Sequence, residues 1–178
     1  GDQAGRPVEL GYAIGRLVRE LRATPRGAAV DRLVRQHDLD AAAAEGWMRR
    51  GSLRMNLANA AAARGEDAEP LYARAEADLT EALRLDPASV ETWQTRATVR
   101  LNRGASATNR GADPEEHLRG AEEDFGAALE RNPRSGDVWG GRATVHGARA
   151  SRKRLAGGDP AADFARAEAD YLKALGLK

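Results

Sequence analysis

The sequence predicts an all-α protein built as a stack of antiparallel helix pairs, and three observations predict it. Trp47, Trp93 and Trp139 stand 46 residues apart, twice over, and a fixed period of this size is the mark of a stacked repeat. All seven prolines fall where a helix can begin. No run of alternating β-branched residues signals a strand, while alanine, the strongest helix former, is abundant.

The elements follow in chain order. Pro7, Pro25, Pro70, Pro87, Pro114, Pro133 and Pro160 mark starts, because proline at the first helical position gives up no hydrogen bond. Five follow an N-cap type of residue: Thr24, Asp86, Asp113, Asn132 and Asp159. With a further start near Asp40, about eight helices are expected, over 7–22, 26–37, 41–63, 70–85, 88–106, 114–131, 134–154 and 160–175. Residues 1–40 form an N-terminal helical pair, either a degenerate capping repeat or an unrelated hairpin. Ala29, Leu33, Leu39 and Asp40 match the register of Ala75, Leu79, Leu85 and Asp86, and Gly15 is the candidate small residue of the preceding helix. Residues 41–178 divide into three units, about 41–87, 88–133 and 134–178.

Within each unit the register repeats beyond the tryptophan. The blocks 74–79, 120–125 and 166–171 read Arg-Ala-Glu-Ala-Asp-Leu, Gly-Ala-Glu-Glu-Asp-Phe and Arg-Ala-Glu-Ala-Asp-Tyr. Gly51, Ala97 and Ala143 are expected to face Ala75, Ala121 and Ala167, small residues letting two backbones approach while the tryptophan covers the seam. Leu79, Phe125 and Tyr171 fill the next layer, followed by Ala82, Ala128 and Ala174. Arg50, Arg96 and Arg142 follow each tryptophan by three residues, and Asp78, Asp124 and Asp170 follow each small residue of the second helix by three. The expectation is a ladder of ion pairs, Arg50–Asp78, Arg96–Asp124 and Arg142–Asp170, with a structural and orienting role.

These positions resemble the tetratricopeptide repeat family, whose unit of about 34 residues carries a Trp…Gly…Ala…aromatic…Ala…Pro pattern over two helices. The likeness covers 44–178 and reads Trp47/Gly51, Trp93/Ala97 and Trp139/Ala143, then Ala75/Leu79/Ala82/Pro87, Ala121/Phe125/Ala128/Pro133 and Ala167/Tyr171/Ala174. The departure is an insertion of about 12 residues against the usual unit length, near 60–71, 106–117 and 152–163. All three insertions contain a Gly-x-Asp turn, at Gly65, Gly111 and Gly157. Longer helices and longer tips are expected, with the helix crossing preserved. The resemblance implies a right-handed α-solenoid whose first helices line a concave groove for a partner peptide or protein. By position the lining is Glu45, Met48, Ser52, Met55, Asn56, Gln94, Thr98, Leu101, Asn102, Asp137 and Thr144. Asn56 and Asn102 are equivalent and are candidates to hydrogen-bond a peptide backbone. The lysine-based carboxylate clamp of one family branch has no counterpart, since this lining contains no lysine.

Composition bounds the function. With 28 basic and 27 acidic residues, net charge is +1 and demands neither nucleic acid nor a membrane surface. The absence of cysteine excludes disulfides, thiolate metal sites and cysteine nucleophiles. No apolar run approaches the ~20 residues of a membrane span. His37, His117 and His146 occupy non-equivalent places and read as surface histidines, not a metal site. Ser52, Ser89, Ser106, Ser135 and Ser151 lack a nucleophile's context, and the glycine turns do not spell a phosphate loop. Gly140 and Gly141 weaken their helix and either admit a partner or reflect repeat drift. The basic run Arg149 to Arg154 reads as a solvated helix end. The expected function is therefore a non-enzymatic interaction or scaffold module without cofactors. The alternatives are a regulatory segment of a larger bacterial signalling protein, such as a kinase tail, and self-association through an apolar end face around Leu172 and Leu175. Preference for arginine over lysine hints at a bacterial source. The opening Gly1 suggests an excised fragment, so the compartment stays open, with the cytoplasm slightly favoured.

Overall fold

The computed structural model describes residues 44–177, and the expectations for residues 1–43, His37 included, lie outside them. Among the described residues there are six α-helices and no strand: α1 (Ala44–Ala63), α2 (Glu69–Leu85), α3 (Val90–Asn109), α4 (Glu115–Arg131), α5 (Gly136–Leu155) and α6 (Ala161–Gly176). They pack as consecutive pairs, α1 with α2, α3 with α4 and α5 with α6. The second helix of each pair then meets the first of the next, and α1, α3 and α5 also touch in sequence along one side.

The inserted residues lengthen the helices but do not lengthen the tips. The first helices each run 20 residues, about 30 Å at the α-helical rise, and the second helices 17, 17 and 16. The connection within each pair is only residues 64–68, 110–114 and 156–160. Two local devices reverse the chain in so short a span. Gly65, Gly111 and Gly157 adopt left-handed φ of 73°, 73° and 75°. The amide of the following residue reaches back to Ala61, Ala107 or Lys153, closing the orphan carbonyls of the first helix. Asp67, Asp113 and Asp159 then accept the amide two residues on, at 3.1, 2.9 and 2.9 Å, which starts the second helix.

The connection between pairs corrects the expected starts at 88 and 134. Asp86 and Asn132 close α2 and α4, and do not cap the next helix. Their amides bond Ala82 and Ala128, and their side chains accept the amides of Ala88 and Arg134 in a turn set by Pro87 and Pro133. The caps of α3 and α5 are Ser89 and Ser135, whose hydroxyls accept the amides of Thr92 and Val138 at 3.2 and 3.4 Å.

The seam within a pair is tight where small residues were expected. A Cβ on Gly51 would lie 2.7 Å from Leu79 Cγ and 3.1 Å from the Ala75 carbonyl oxygen. Ala97, Ala121, Ala143 and Ala167 are buried. Two core clusters bind the units together. In one, Val99 of α3 enters Tyr72, Ala75 and Leu79 of α2. In the other, Val138 and Val145 of α5 enter Leu118, Ala121, Phe125, Ala128 and Leu129 of α4. Gly141 has its reason inside the fold, since a Cβ there would fall 2.5 Å from the Phe125 ring, whereas Gly140 faces open space.

Candidate functional site

The charged interior is built on three buried aspartates, each at the centre of its helix pair. Arg50 donates through Nε and Nη2 to Asp78 at 2.9 and 2.6 Å. Arg96 does the same to Asp124 at 2.9 and 2.7 Å, and Arg142 to Asp170 at 2.7 and 2.9 Å. Two parallel N–H···O bonds fix both planes, so each pair locks the rotation of one helix against the other. The same guanidinium lies over its tryptophan, at 4.2 Å for Arg50 on Trp47, 4.9 Å for Arg96 on Trp93 and 4.6 Å for Arg142 on Trp139. The indole N–H of Trp93 and Trp139 donates to the carbonyls of Pro87 and Pro133 at 2.9 Å. Trp93 and Trp139 therefore each tie the turn entering their unit to the ion pair inside it. Lys173 adds a second cation on Trp139 at 4.2 Å, and Arg131 one on Trp93 at 5.1 Å.

A second basic position repeats as well, and sequence reasoning missed it. Arg54 also bonds Asp78, Arg100 lies 3.1 Å from Asp124, and His146 Nε2 lies 3.6 Å from Asp170. The three are 46 residues apart, so His146 is not a surface histidine. It is 4% exposed, and its Nδ1 has no hydrogen-bond partner. Burial holds its pKa below the ordinary histidine value. Glu122 of α4 and Asp170 of α6 pull the other way, while Arg142 and Arg149 of α5 reinforce burial.

The junctions between pairs carry a further ionic layer. At the first, Glu76 of α2 accepts from Arg100 at 2.7 Å and from Arg103, which also reaches Glu69. Burial raises the pKa of Glu76, but Arg100 and Arg103 outweigh it and hold the carboxyl below its usual range. At the second, Glu122 faces His146 and Arg149, and Arg149 lies 3.1 Å from Glu115. The basic run is thus largely engaged: Arg152 pairs with Asp113 at 2.8 Å and Lys153 with Asp163 at 2.5 Å.

The expected groove residues lie along the first helices. Met48 and Met55 are half-buried against the first core cluster, and Leu101 against the second. Glu45, Asn56, Asp137 and Thr144 are exposed, while Ser52, Gln94, Thr98 and Asn102 are half-buried. Thr98 and Thr144 return their hydroxyls to the carbonyls of Gln94 and Gly140, both at 2.9 Å. Asn56 and Asn102 are not two equal amides. Asn102 Nδ2 donates to Asn59 Oδ1 at 3.0 Å, and the Tyr72 hydroxyl donates to the same oxygen at 2.7 Å. Asn59 was not among the expected residues; it bridges α1, α2 and α3. Among the described residues no group of three histidine, cysteine or carboxylate side chains is placed to hold a metal ion, and no helix is long and apolar enough to cross a membrane.

A scan against protein-family models matches none, and no curated protein is matched either.

Proposed function

We propose that this chain is a tetratricopeptide-like interaction module, a short right-handed solenoid that binds a partner peptide or protein along the side formed by α1, α3 and α5. The observation that carries the reading is how side chains are allotted in the first helices. Their inner positions are consumed by paired, hydrogen-bonded and packed groups that repeat with the chain's period. The row Met48, Ser52, Met55, Asn56 and Gln94, Thr98, Leu101 is half-buried or exposed and takes little part in that ionic framework. Half-buried methionine beside short polar groups suits a surface that repacks around an extended or helical segment. A framework of bidentate pairs keeps such a surface in one shape before the partner arrives, which lowers the ordering cost of binding. The role is non-enzymatic, and no cofactor takes part in it.

The test is photo-crosslinking from defined positions. A photoreactive phenylalanine at Met48 or Thr98 is expected to trap the same partner protein. The same group at Glu123, exposed on α4, is expected to trap nothing above background. Equal trapping from all three positions, or from Glu123 alone, sinks the reading.

A further inference from the structure

The outer side of α6 repeats a surface that is occupied in the other two pairs. At the α2–α3 junction the receiving residues are Tyr72, Glu76, Leu79 and Leu83; at the α4–α5 junction they are Leu118, Glu122, Phe125 and Leu129. The apolar six are no more than 6% exposed. Shifted by one period, the set becomes Phe164, Glu168, Tyr171 and Leu175 on α6. There Phe164 is 42%, Tyr171 46% and Leu175 63% exposed; Glu168 is exposed too, and the ion pairs of α6 among the described residues are made by Asp163, Arg166 and Asp170. The acceptor chemistry is kept, and no described helix covers it.

What the two filled junctions receive defines that occupant. Each takes a helix bearing valine, a basic residue, two spacers and an arginine: Val99-Arg100-Leu101-Asn102-Arg103 and Val145-His146-Gly147-Ala148-Arg149. The valine enters the apolar cluster, while the two basic side chains converge on the glutamate. We infer that the outer face of α6 is a docking site for an amphipathic helix carrying this Val-(Arg/His)-x-x-Arg pattern, with the arginine on Glu168 and the valine between Tyr171 and Phe164. A second copy of this chain fits less well through its first described helix. At the same positions α1 reads Leu53-Arg54-Met55-Asn56-Leu57, so the arginine that meets the glutamate is replaced by leucine.

The probe is a stapled peptide with the sequence of residues 90–109, its helicity verified by circular dichroism, titrated against the full chain by fluorescence anisotropy. Binding is expected to weaken at least about tenfold with Glu168→Arg in the protein and to recover when the peptide carries Arg103→Glu. Leu175→Asp is expected to abolish it. Both protein positions are exposed, so the variants keep the fold, and unchanged thermal unfolding verifies that. The inference is overturned by a helical peptide that does not bind, or by binding indifferent to Glu168→Arg. It is also overturned if the chain self-associates in sedimentation equilibrium and Leu175→Asp makes it monomeric, because a second copy then owns the face. None of these outcomes bears on the crosslinks from α1 and α3.

Discussion

At the scale of the residue, the aspartates at the pair centres decide most. Asp124 is 2% exposed and held by Arg96 and Arg100. A buried charge stripped of its partners costs far more than the pair gains on its own. Arg96→Met leaves Asp124 with Arg100 and is expected to destabilise the fold by about 1.5–3 kcal/mol, while Asp124→Leu, which takes the acceptor from both arginines, is expected to cost about 3–5 kcal/mol. The double variant is expected to lose much less than the sum, which a double-mutant cycle in urea measures; strict additivity contradicts the pairing. His146 adds a pH dependence whose sign is fixed by burial. Its folded pKa lies below that of the unfolded chain, so acidification protonates the unfolded state first. Its contribution is whole above about pH 6.5 and is lost as pH falls toward the folded pKa. Glu76, whose folded pKa is also lowered, loses its contribution only further down, below the ordinary glutamate range. His146→Gln is expected to flatten the upper window and leave the lower one. A proton-NMR titration placing His146 above 6.5 would reverse the sign.

At the scale of the helix, glycine separates two kinds of position that look alike in a sequence. Gly111 closes α3 with φ of 73° in open space, so an added methyl meets no atom but strains the backbone. Gly111→Ala is expected to cost about 1–2 kcal/mol. Gly126 lies inside α4, where a methyl also meets nothing, and Gly126→Ala is expected to stabilise by about 0.5–1 kcal/mol. Chemical denaturation of the two variants gives opposite shifts if this holds, and equal shifts contradict it. Repeats of Trp, Arg and Asp announced the pairs and their ladder, because a residue held in register has one environment in every unit. His146 hid because it departs in identity at a position where Arg54 and Arg100 agree. The starts of α3 and α5 were misplaced because Asp-Pro and Asn-Pro suit a turn as well as a cap, and only the hydrogen bonds of Ser89 and Ser135 decide between them. The tips were expected to be long because length alone does not say whether inserted residues extend a helix or a loop.

At the scale of the molecule, stability is distributed by neighbours. A helix pair of this kind does not bury its apolar side alone, and in a stack each unit gains from the units beside it. α4 has α3 on one side and α5 on the other, and its Phe125, Leu118 and Leu129 are buried between them. α6 packs on α5, while its equivalents Phe164, Tyr171 and Leu175 stand open. Local opening free energies follow such differences in buried contact, so protection from hydrogen exchange is expected to fall from α4 to α6. The ladder opposes this, since Arg142–Asp170 and Lys173 over Trp139 still clamp α6. Burial wins, because the clamp ties only the centre of the helix and leaves the apolar side around Leu175 uncovered by any described helix. Native-state hydrogen exchange is therefore expected to show α6 opening below the global unfolding free energy, with its last turn fastest. Binding of a helix carrying the Val-(Arg/His)-x-x-Arg pattern is expected to raise α6 toward the protection of α4. Uniform protection across the six described helices would mean that these three pairs unfold as one unit and that the open side of α6 costs the fold nothing.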